Sequence, residues 1–403
     1  MQQPLHGLKV IAVEQFLTGP YCTMLMAYAG AEVIKIEKPH SGDPRRQMPP
    51  VFKDEHGEKM SACFMEYNCR KKSLTLDLKK EKGQEILKEL AAKSDLLVEN
   101  YRPGVMERLG LGYSVLQEVN PALIYLSISG FGQMEGFRGP FWQDPTFDLI
   151  TEAMSGYMEM IGTPESPPQP SIFGLADLVT AIYALGGAMI ALVDRLRTGR
   201  GRYVDMSMYD AMVSLNERAM MFYSFLGEAP RRGTEKIIGP RGVFKAKDGY
   251  IVLNTPADYM WERLAEAIGR ADLIRDKRFA DGPSRAAHQK QHLQPAIEEW
   301  LQEKTKQEAI DLLLEKGVPA GAVQTVEEVA RCPQIEARQL LVTAEHKVTG
   351  EKTLVGSPLR FSGVPETEDA YSPPELGQHN EEILSELGYT ADQIRTFKKE
   401  GII

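Results

Sequence analysis

The sequence predicts an α/β fold, with a mostly parallel, Rossmann-like sheet in a large domain and a smaller α+β domain beside it. Short β-rich segments alternate with helical segments along the first half of the chain, which is the pattern of βαβ units. A stretch rich in glycine, proline and charge, GEAPRRGTEKIIGPRG at residues 227–242, then separates a second apolar pattern from the first. At 403 residues the chain also exceeds what one hydrophobic core usually serves.

The strands of the large domain are predicted from short apolar or alternating runs. The first run, residues 8–13, ends before Thr18-Gly19-Pro20 and is followed by a helical stretch at 21–29. Further strands are predicted at 32–37, 73–78, 95–99, 123–129 and 203–208, with a helix at 81–93. Ligands of parallel sheets bind beyond the carboxyl ends of the strands. The loops expected to bind a ligand are therefore residues 17–20, 38–46, 100–104 and 130–132.

The domain boundaries follow from these composition shifts. We predict a large domain from residues 1–200 and 350–403, a linker helix at 201–225, a small domain at 226–330 and a return linker at 331–349. The small domain should contain a strand at 249–254 and a helical region at 259–314.

Composition and charge exclude several classes of protein. With 43% hydrophobic and 26% charged residues the chain is typical of a globular protein, and its net charge of −9 argues against nucleic acid as a partner. Four cysteines without a C-x-x-C pair do not make a disulfide framework. The first residues show no signal-peptide pattern. We therefore expect a cytoplasmic protein.

A carboxylate stands in an unusual position near the start of the most apolar segment, residues 171–201. From residue 178 to residue 193 almost every side chain is apolar or small, so we expect a core helix packed on most sides. The internal Asp177 and Thr180, a Gly186-Gly187 pair and the absence of a second such segment argue against a membrane span. Asp177 then lies at the helix N-terminus, where backbone N–H groups favour an anion, either as a simple cap or as a functional group.

Several common kinds of site lack their sequence signatures. No G-x-G-x-x-G motif opens a helix after a strand, and neither a Walker A motif nor a G-x-S-x-G elbow is present. His288 and His292 are spaced like metal ligands but have no partner ligands at suitable spacing, so no metal site is predicted. Basic residues instead recur near predicted strand ends, among them Lys38, Lys79 and Arg108, which suits a phosphorylated ligand.

Long segments of the chain resemble the family III CoA-transferases, a group that includes formyl-CoA:oxalate, carnitine-related and bile-acid-related enzymes. The resemblance covers nearly the whole chain. The segments that carry it are GLKVIAVEQFLTGPYCTMLMAYAGAEVIKIEKPHSGDPRR, NCRKKSLTLDLKK, LLVENYRPGVMERLGLGY, NPALIYLSISGFGQ, GLADLVTAIYA, TGRGRYVDMSMYDA, FKAKDGYIVL and LGQHNEEIL.

The resemblance implies a catalytic role for Asp177, which ends the GLAD motif. The family's aspartate at this position forms a mixed anhydride with the donor acyl group and then a thioester with CoA, so a CoA thioester is a substrate and no permanent cofactor is expected. Residues matching the family's CoA contacts are Thr18, Lys38, Leu76, Lys79, Asn100, Tyr101 and Arg108. The acyl pocket is expected to involve Leu17, Phe147, Asp148, Gly239 and Arg241, of which Arg241 suggests dicarboxylic acids such as succinate.

The resemblance leaves alternatives open. A related branch, the 2-methylacyl-CoA racemases, uses the equivalent aspartate with a histidine as a second base; Phe147 stands at that position, and Asp148 is the nearby substitute. A non-catalytic CoA-binding protein is a further alternative. The family also implies an interlocked homodimer, which acts on an acyl-CoA and a free carboxylic acid.

Overall fold

The computed structural model describes residues 2–171, 174–230, 232–233, 238–364 and 371–403. The strands are β1 (Lys9–Val13), β2 (Glu32–Glu37), β3 (Val51–Lys53), β4 (Lys59–Ser61), β5 (Lys72–Thr75), β6 (Leu96–Glu99), β7 (Ile124–Ser129), β8 (Tyr203–Ser207), β9 (Arg241–Ala246), β10 (Gly249–Asn254), β11 (Ala320–Ala322), β12 (Leu341–His346) and β13 (Gly350–Val355).

The helices alternate with these strands in the first half of the chain and dominate the second half. The α-helices are α1 (Thr18–Tyr28), α2 (Ala62–Asn68), α3 (Glu81–Ala92), α4 (Val105–Arg108), α5 (Tyr113–Val119), α6 (Asp148–Met154), α7 (Tyr157–Met160), α8 (Leu175–Thr198), α9 (Met208–Leu215), α10 (Glu217–Leu226), α11 (Asp258–Ala267), α12 (Gly282–His288), α13 (Gln294–Leu301), α14 (Lys306–Glu315), α15 (Val326–Ala330), α16 (Pro333–Ala337), α17 (Asn380–Glu386) and α18 (Ala391–Lys399). Short 3₁₀ turns lie at Pro44–Gln47, Ala271–Arg275 and Lys277–Phe279, and a π turn at Gln289–Leu293.

The large sheet has six strands in the order β5-β2-β1-β6-β7-β8, and neighbouring strands pair in parallel. This is the doubly wound strand order: from β1 the successive strands are added first toward one edge of the sheet and then, starting with β6, toward the other edge. A crevice opens at such a reversal, because the connections after the two central strands leave toward opposite faces of the sheet.

The two faces of this sheet have separate apolar cores. Alternate residues of β1 point to opposite faces, so Ile11 and Val13 join one core while Val10 and Ala12 join the other. Side chains from α3, α5, α17 and α18 complete the first core, and side chains from α1 and α8 complete the second. The site described below lies at the edge of the face that α1 and α8 cover.

Most predicted strands form with bounds close to those expected from the sequence. The strands at 32–37 and 249–254 have the predicted bounds. The strand predicted at 73–78 is shorter and ends at Thr75. The Leu76 N–H still donates to the Glu37 carbonyl oxygen of β2 at 2.8 Å, and the Asp77 N–H donates to the Ile402 carbonyl oxygen at 2.8 Å, where the chain turns away from the sheet.

Helix α8 differs from the prediction of a helix packed on most sides. Its buried residues are small, and alanines such as Ala181, Ala184 and Ala188 pack into the core of the large sheet. The opposite side carries large apolar residues that this chain leaves uncovered, with Ile190 73% and Leu196 78% exposed. Within the described residues α8 is the one helix long and apolar enough to cross a membrane, and one third of its apolar window is buried.

The chain divides into two compact units, one of Met1–Ile161, Pro168–Gly227 and Arg338–Ile403, the other of Gly162–Pro167 and Glu228–Ala337. The range 201–225, expected as a linker helix, instead contributes edge strand β8 and helices α9 and α10 to the first unit, because Tyr203–Ser207 completes the ladder beside β7. The range 331–349, expected as a return linker, holds α16 and β12, and β12 pairs with β13.

The second unit has its own sheet and core. Strands β9, β10 and β11 pair antiparallel in the order β11-β10-β9. Phe244 and Ile251 from these strands pack against Trp261 of α11, Ile297 of α13 and Leu313 of α14.

Candidate active site

The candidate site begins at the reversal between β1 and β6. The loop after β1 and the loop after β6 are tied together by two hydrogen bonds: the Gln15 N–H donates to Asn100 Oδ1, and Asn100 Nδ2 donates to the Gln15 carbonyl, both at 2.8 Å. This pairing holds the loop that precedes α1, whose first residue is Thr18.

Asp177 lies in the first turn of α8, beside Thr18. Gly174 caps the helix with a φ of 80°, and a Cβ at this position would lie 2.9 Å from Leu17 Cδ1, so both the backbone conformation and the space favour glycine. Thr18 Oγ1 donates a hydrogen bond to Asp177 Oδ1. The start of α1 and the start of α8 therefore meet at the Asp177 carboxylate, as expected for an anion near helix N-termini.

Asp148 holds the same turn of α8 from the other side. Its Oδ1 accepts the backbone N–H of Ala176 at 2.7 Å and that of Asp177 at 3.2 Å. These are two of the N–H groups that a helix leaves without an internal partner. The nearby Glu152 is fully buried and accepts the backbone N–H of Ser171 at 3.0 Å. Asp148 thus fixes the backbone that carries Asp177, a role that the sequence did not suggest.

Burial controls the ionisation of Asp177. Loss of water raises the pKa of the Asp177 carboxyl to about 6, and the negative charge of Asp148 adds to the rise, whereas the Thr18 hydrogen bond and the positive charge of Arg45 oppose it. The pKa of Asp148 is raised as well, mainly by burial. Asp177 is therefore a partly dehydrated carboxylate that is still ionised at neutral pH, which are the properties of an activated oxygen nucleophile.

A cavity of about 730 Å³ opens over this carboxylate. Its volume lies in the range of small-molecule sites. The predicted site residues that line it are Leu17, Thr18, Lys38, Leu76, Lys79, Asn100, Tyr101, Phe147, Asp148 and Asp177. The crevice at the strand reversal therefore brings together most of the residues that the resemblance pointed to, although they come from distant parts of the chain.

The other predicted residues are not among those that line this cavity. Arg108 is exposed at the end of α4 and is not part of the cavity lining, whereas Arg102 is. Gly239 and Arg241 belong to the second unit, where the Arg241 N–H donates to Gln289 Oε1 at 3.1 Å. The roles of Arg108 in CoA binding and of Gly239 and Arg241 in the acyl pocket stay predictions.

Sequence reasoning missed a buried ionic network beneath the loop. Lys35 alternates with apolar residues in β2, a pattern typical of a solvent-facing lysine, yet its side chain is fully buried and its Nζ lies 2.9 Å from Asp43 Oδ2 and 3.7 Å from Glu14 Oε1. Lys71 Nζ contacts the same Glu14 oxygen at 2.8 Å. Asp43 in turn accepts the N–H of Phe16 at 3.3 Å. The network supports the loop that carries Thr18, and no local signal in the sequence indicates it.

Phe16 and Met48 are two further lining residues that the sequence did not single out. Phe16 has a φ of 62°, a left-handed conformation rare for an aromatic residue, and its ring meets that of Phe147 edge-on at 6.0 Å between centroids. Arg45 also lines the cavity; the one available signal was its place among the basic residues that follow β2. Among the described residues no group of three potential metal ligands comes together.

Comparison with known proteins gives consistent matches along the chain. The profile of CoA-transferase family III matches residues 5–380. A succinyl-CoA:mesaconate CoA-transferase from Haloarcula hispanica is 39% identical over 391 residues, 95% of this chain and 96% of that protein. A succinyl-CoA–D-citramalate CoA-transferase from Chloroflexus aurantiacus is 34% identical over 100% of this chain and 98% of its own length. The crystal structure of a CAIB/BAIF family protein from Brucella suis superimposes with a TM-score of 0.83 at 32% identity, covering 96% of this chain and 100% of that one.

Proposed function

Because this chain belongs to CoA-transferase family III, we propose that it moves CoA from an acyl-CoA to a free carboxylic acid with Asp177 as the nucleophile. The observation that carries the proposal is the Asp177 carboxylate itself, which is partly buried at a helix N-terminus, hydrogen-bonded by Thr18 and open to a cavity large enough for a thioester. A binding site alone has no need of a dehydrated carboxylate, because burying it disfavours folding.

The proposed reaction runs through two covalent intermediates on Asp177. Its carboxylate oxygen attacks the thioester carbonyl of the donor, and the CoA thiolate leaves, which produces a mixed anhydride. The thiolate then attacks the Asp177 carbonyl carbon and expels the donor acid, so that CoA is held as an aspartyl thioester. The acceptor carboxylate attacks this thioester, the thiolate is released again, and its attack on the acceptor carbonyl frees both the new acyl-CoA and Asp177.

The surroundings of Asp177 suit these steps. Exclusion of water protects the anhydride from hydrolysis and keeps the carboxylate reactive. The Thr18 hydroxyl and the helix N-terminus offer hydrogen-bond donors and positive potential where negative charge forms on the carboxyl group. Asp148, which holds two N–H groups of the same turn, keeps the carboxyl carbon in one position for both attacks.

The cations around the cavity support binding of the CoA phosphates. Lys38 and Lys79 line the cavity and are exposed, which suits contact with phosphate groups in water. Tyr101 lines it beside Asn100 and offers an aromatic face for adenine. We propose CoA as a substrate in this cavity, with Leu76 and Thr18 on its wall and Arg108 as a further phosphate contact.

Racemisation is less well supported. A two-base mechanism needs a second proton carrier facing the α-carbon. Phe147 cannot titrate, and the Asp148 carboxylate is already engaged by the N–H groups of Ala176 and Asp177. A proton at Asp148 Oδ1 would remove the acceptor that holds the nucleophile's own helix turn.

We also propose a homodimer. Many of the large exposed apolar side chains lie on α8 and α10, and exposed apolar surface of this kind marks protein interfaces. Those on the two helices are Ile182, Tyr183, Ile190, Val193, Leu196, Met220, Met221, Tyr223, Phe225 and Leu226. A second copy of the chain is the proposed cover, and Asp177 and Thr180 within α8 argue against a lipid cover.

The four cysteines are free, which fits the reducing cytoplasm that we propose as the location.

The test is an acyl-exchange experiment in deuterated water. The enzyme is incubated with succinyl-CoA, a 2-methylacyl-CoA and a pool of free carboxylic acids, and all CoA esters are followed by mass spectrometry. New esters that match the pooled acids are expected, and D177N should make none while it still binds acyl-CoA. Deuterium at the α-carbon without acyl exchange would establish racemisation instead, and transfer by D177N at the wild-type rate would exclude Asp177 as the nucleophile.

A further inference from the structure

Arg45 is a buried cation on the wall of the same cavity that contains Asp177. It lies in the 3₁₀ turn Pro44–Gln47 that follows β2, and the Asp43 carboxylate fixes this turn by accepting the Arg45 N–H at 2.9 Å. The residue is 7% exposed. Lys38, Lys79 and Arg102, the other cations that line the cavity, are exposed.

The guanidinium is held rigidly and yet keeps donors for a ligand. Nε donates to the Cys63 carbonyl at 2.7 Å, Nη2 donates to Glu66 Oε2 at 3.1 Å, and the group lies over the Tyr67 ring at 4.9 Å from its centroid. Nη1 makes no hydrogen bond to any residue that the structure describes. Because the Glu66 side chain is 49% exposed, water screens the Glu66 charge, and this carboxylate therefore neutralises the buried Arg45 cation only in part.

The space between Arg45 and Asp177 suits a short carbon chain. Arg45 and Asp177 form no ion pair, and the hydrogen-bond donor to the Asp177 carboxylate is Thr18. The two charged groups nevertheless interact through space, because the positive charge of Arg45 lowers the pKa of Asp177. The apolar side chains of Phe16, Leu17 and Met48 line the same cavity. A carboxylate, apolar side chains and a cation with a free donor in the wall of one cavity form a complementary surface for a molecule with two carboxyl ends.

We propose that Arg45 binds the distal carboxylate of a dicarboxylic acyl group whose other carboxyl carbon reacts with Asp177. The substrates are then short dicarboxylic acids, and Arg45 selects them against monocarboxylic acids of equal length. This inference rests on the proposed function. The same anionic chemistry is found in the phosphates of CoA, but the exposed Lys38 and Lys79 suit a phosphate, whereas the carboxylate is the smaller charge to place at a buried guanidinium between apolar side chains.

The test compares isotope exchange of two acids of equal chain length. Exchange of ¹³C-succinate into succinyl-CoA is measured beside exchange of ¹³C-butyrate into butyryl-CoA, for the wild type, R45Q, R45K and R102Q. R45Q should reduce the succinate reaction by about 100-fold or more, since a buried charge pair loses one partner, and should reduce the butyrate reaction at least about tenfold less than the succinate reaction. R45K should recover part of the succinate exchange, and R102Q, which removes an exposed cation from the same cavity, should affect both acids equally.

The outcomes separate this inference from the proposed function. If R45Q weakens both exchanges equally, or weakens inhibition by free CoA, Arg45 serves CoA or the fold and the inference is wrong. It is also wrong if R45Q changes neither exchange, or if the wild type exchanges butyrate as readily as succinate, whereas CoA transfer then stands. A wild type that exchanges neither acid would refute this inference, whereas the proposed function fails only if no acid of the pool described above accepts CoA. Because butyrate exchange by R45Q requires a folded site, loss of fold is detected within the same experiment.

Discussion

Replacing Asp177 by asparagine should make the protein more stable at neutral pH and at the same time inactive. In the folded chain the pKa of Asp177 is about 6, and in the unfolded chain an aspartate has a pKa of about 3.9. At neutral pH this difference corresponds to a destabilisation of about 3 kcal/mol. An asparagine keeps an oxygen that can accept the Thr18 hydrogen bond but carries no charge, so that D177N should recover most of this free energy.

The pH dependence of this effect has a definite sign. Between about pH 4 and pH 6 the folded chain holds a proton at Asp177 that the unfolded chain has already released, so stability falls as the pH rises through this window. Above it both states are ionised and the destabilisation stays constant. The stability advantage of D177N over the wild type should therefore be small at about pH 4.5 and full at about pH 8.

Scanning calorimetry of both proteins at the two pH values measures this difference. At about pH 8 the midpoint of D177N should lie about 3–5 °C above that of the wild type. A matched control is D276N. Asp276 pairs with Arg278, which lowers the pKa of Asp276 to about 2 in the folded chain, so the charge of Asp276 stabilises the fold at neutral and higher pH. D276N should therefore not melt at a higher temperature than the wild type. A D177N midpoint at or below the wild type at pH 8 would refute the view that burial holds this carboxylate in an unfavourable state.

Three further changes test the surroundings of Asp177 and the exposed apolar face. T18V removes a hydrogen bond to the charged form and should raise the pKa of Asp177 above its value of about 6. The acid limb of the kcat/KM profile should therefore move to higher pH, and an unmoved limb would contradict this. D148A should lower kcat by about 10- to 100-fold. D148N keeps an acceptor oxygen and removes a repelling charge, so it should retain more activity, and the acid limb of its kcat/KM profile should lie at lower pH. Equal losses in both variants would mean that Asp148 does not act through its hydrogen bonds. The double variant I190D/L196D places charges on the uncovered side of α8. It should convert a dimer to monomers in analytical ultracentrifugation without loss of helix content. An unchanged mass would exclude this face as the interface.

Local elements and the position of the carboxylate follow from sequence patterns alone. The alternation at residues 32–37 and 249–254 predicts strands whose bounds the structure reproduces, because side-chain periodicity acts within one element. The GLAD segment likewise places Asp177 at a helix start, since Gly174 can adopt the positive φ that begins α8. The alternation of strands and helices was sufficient to predict the parallel sheet.

The contacts of each charged group depend on how distant parts of the chain pack together. Thr18 and Asp177 are 159 residues apart, and they meet because the strand order brings the starts of α1 and α8 to one crevice. The same reason explains why Asp148 acts as a cap for another helix and why Lys35 is buried against Asp43. Periodicity reports which side of an element is apolar, but the partner of a polar group depends on which distant loop lies beside it. For α8 the pattern indicated burial on most sides, whereas the chain covers only the alanine side, because covering a helix requires neighbours that its own sequence does not specify.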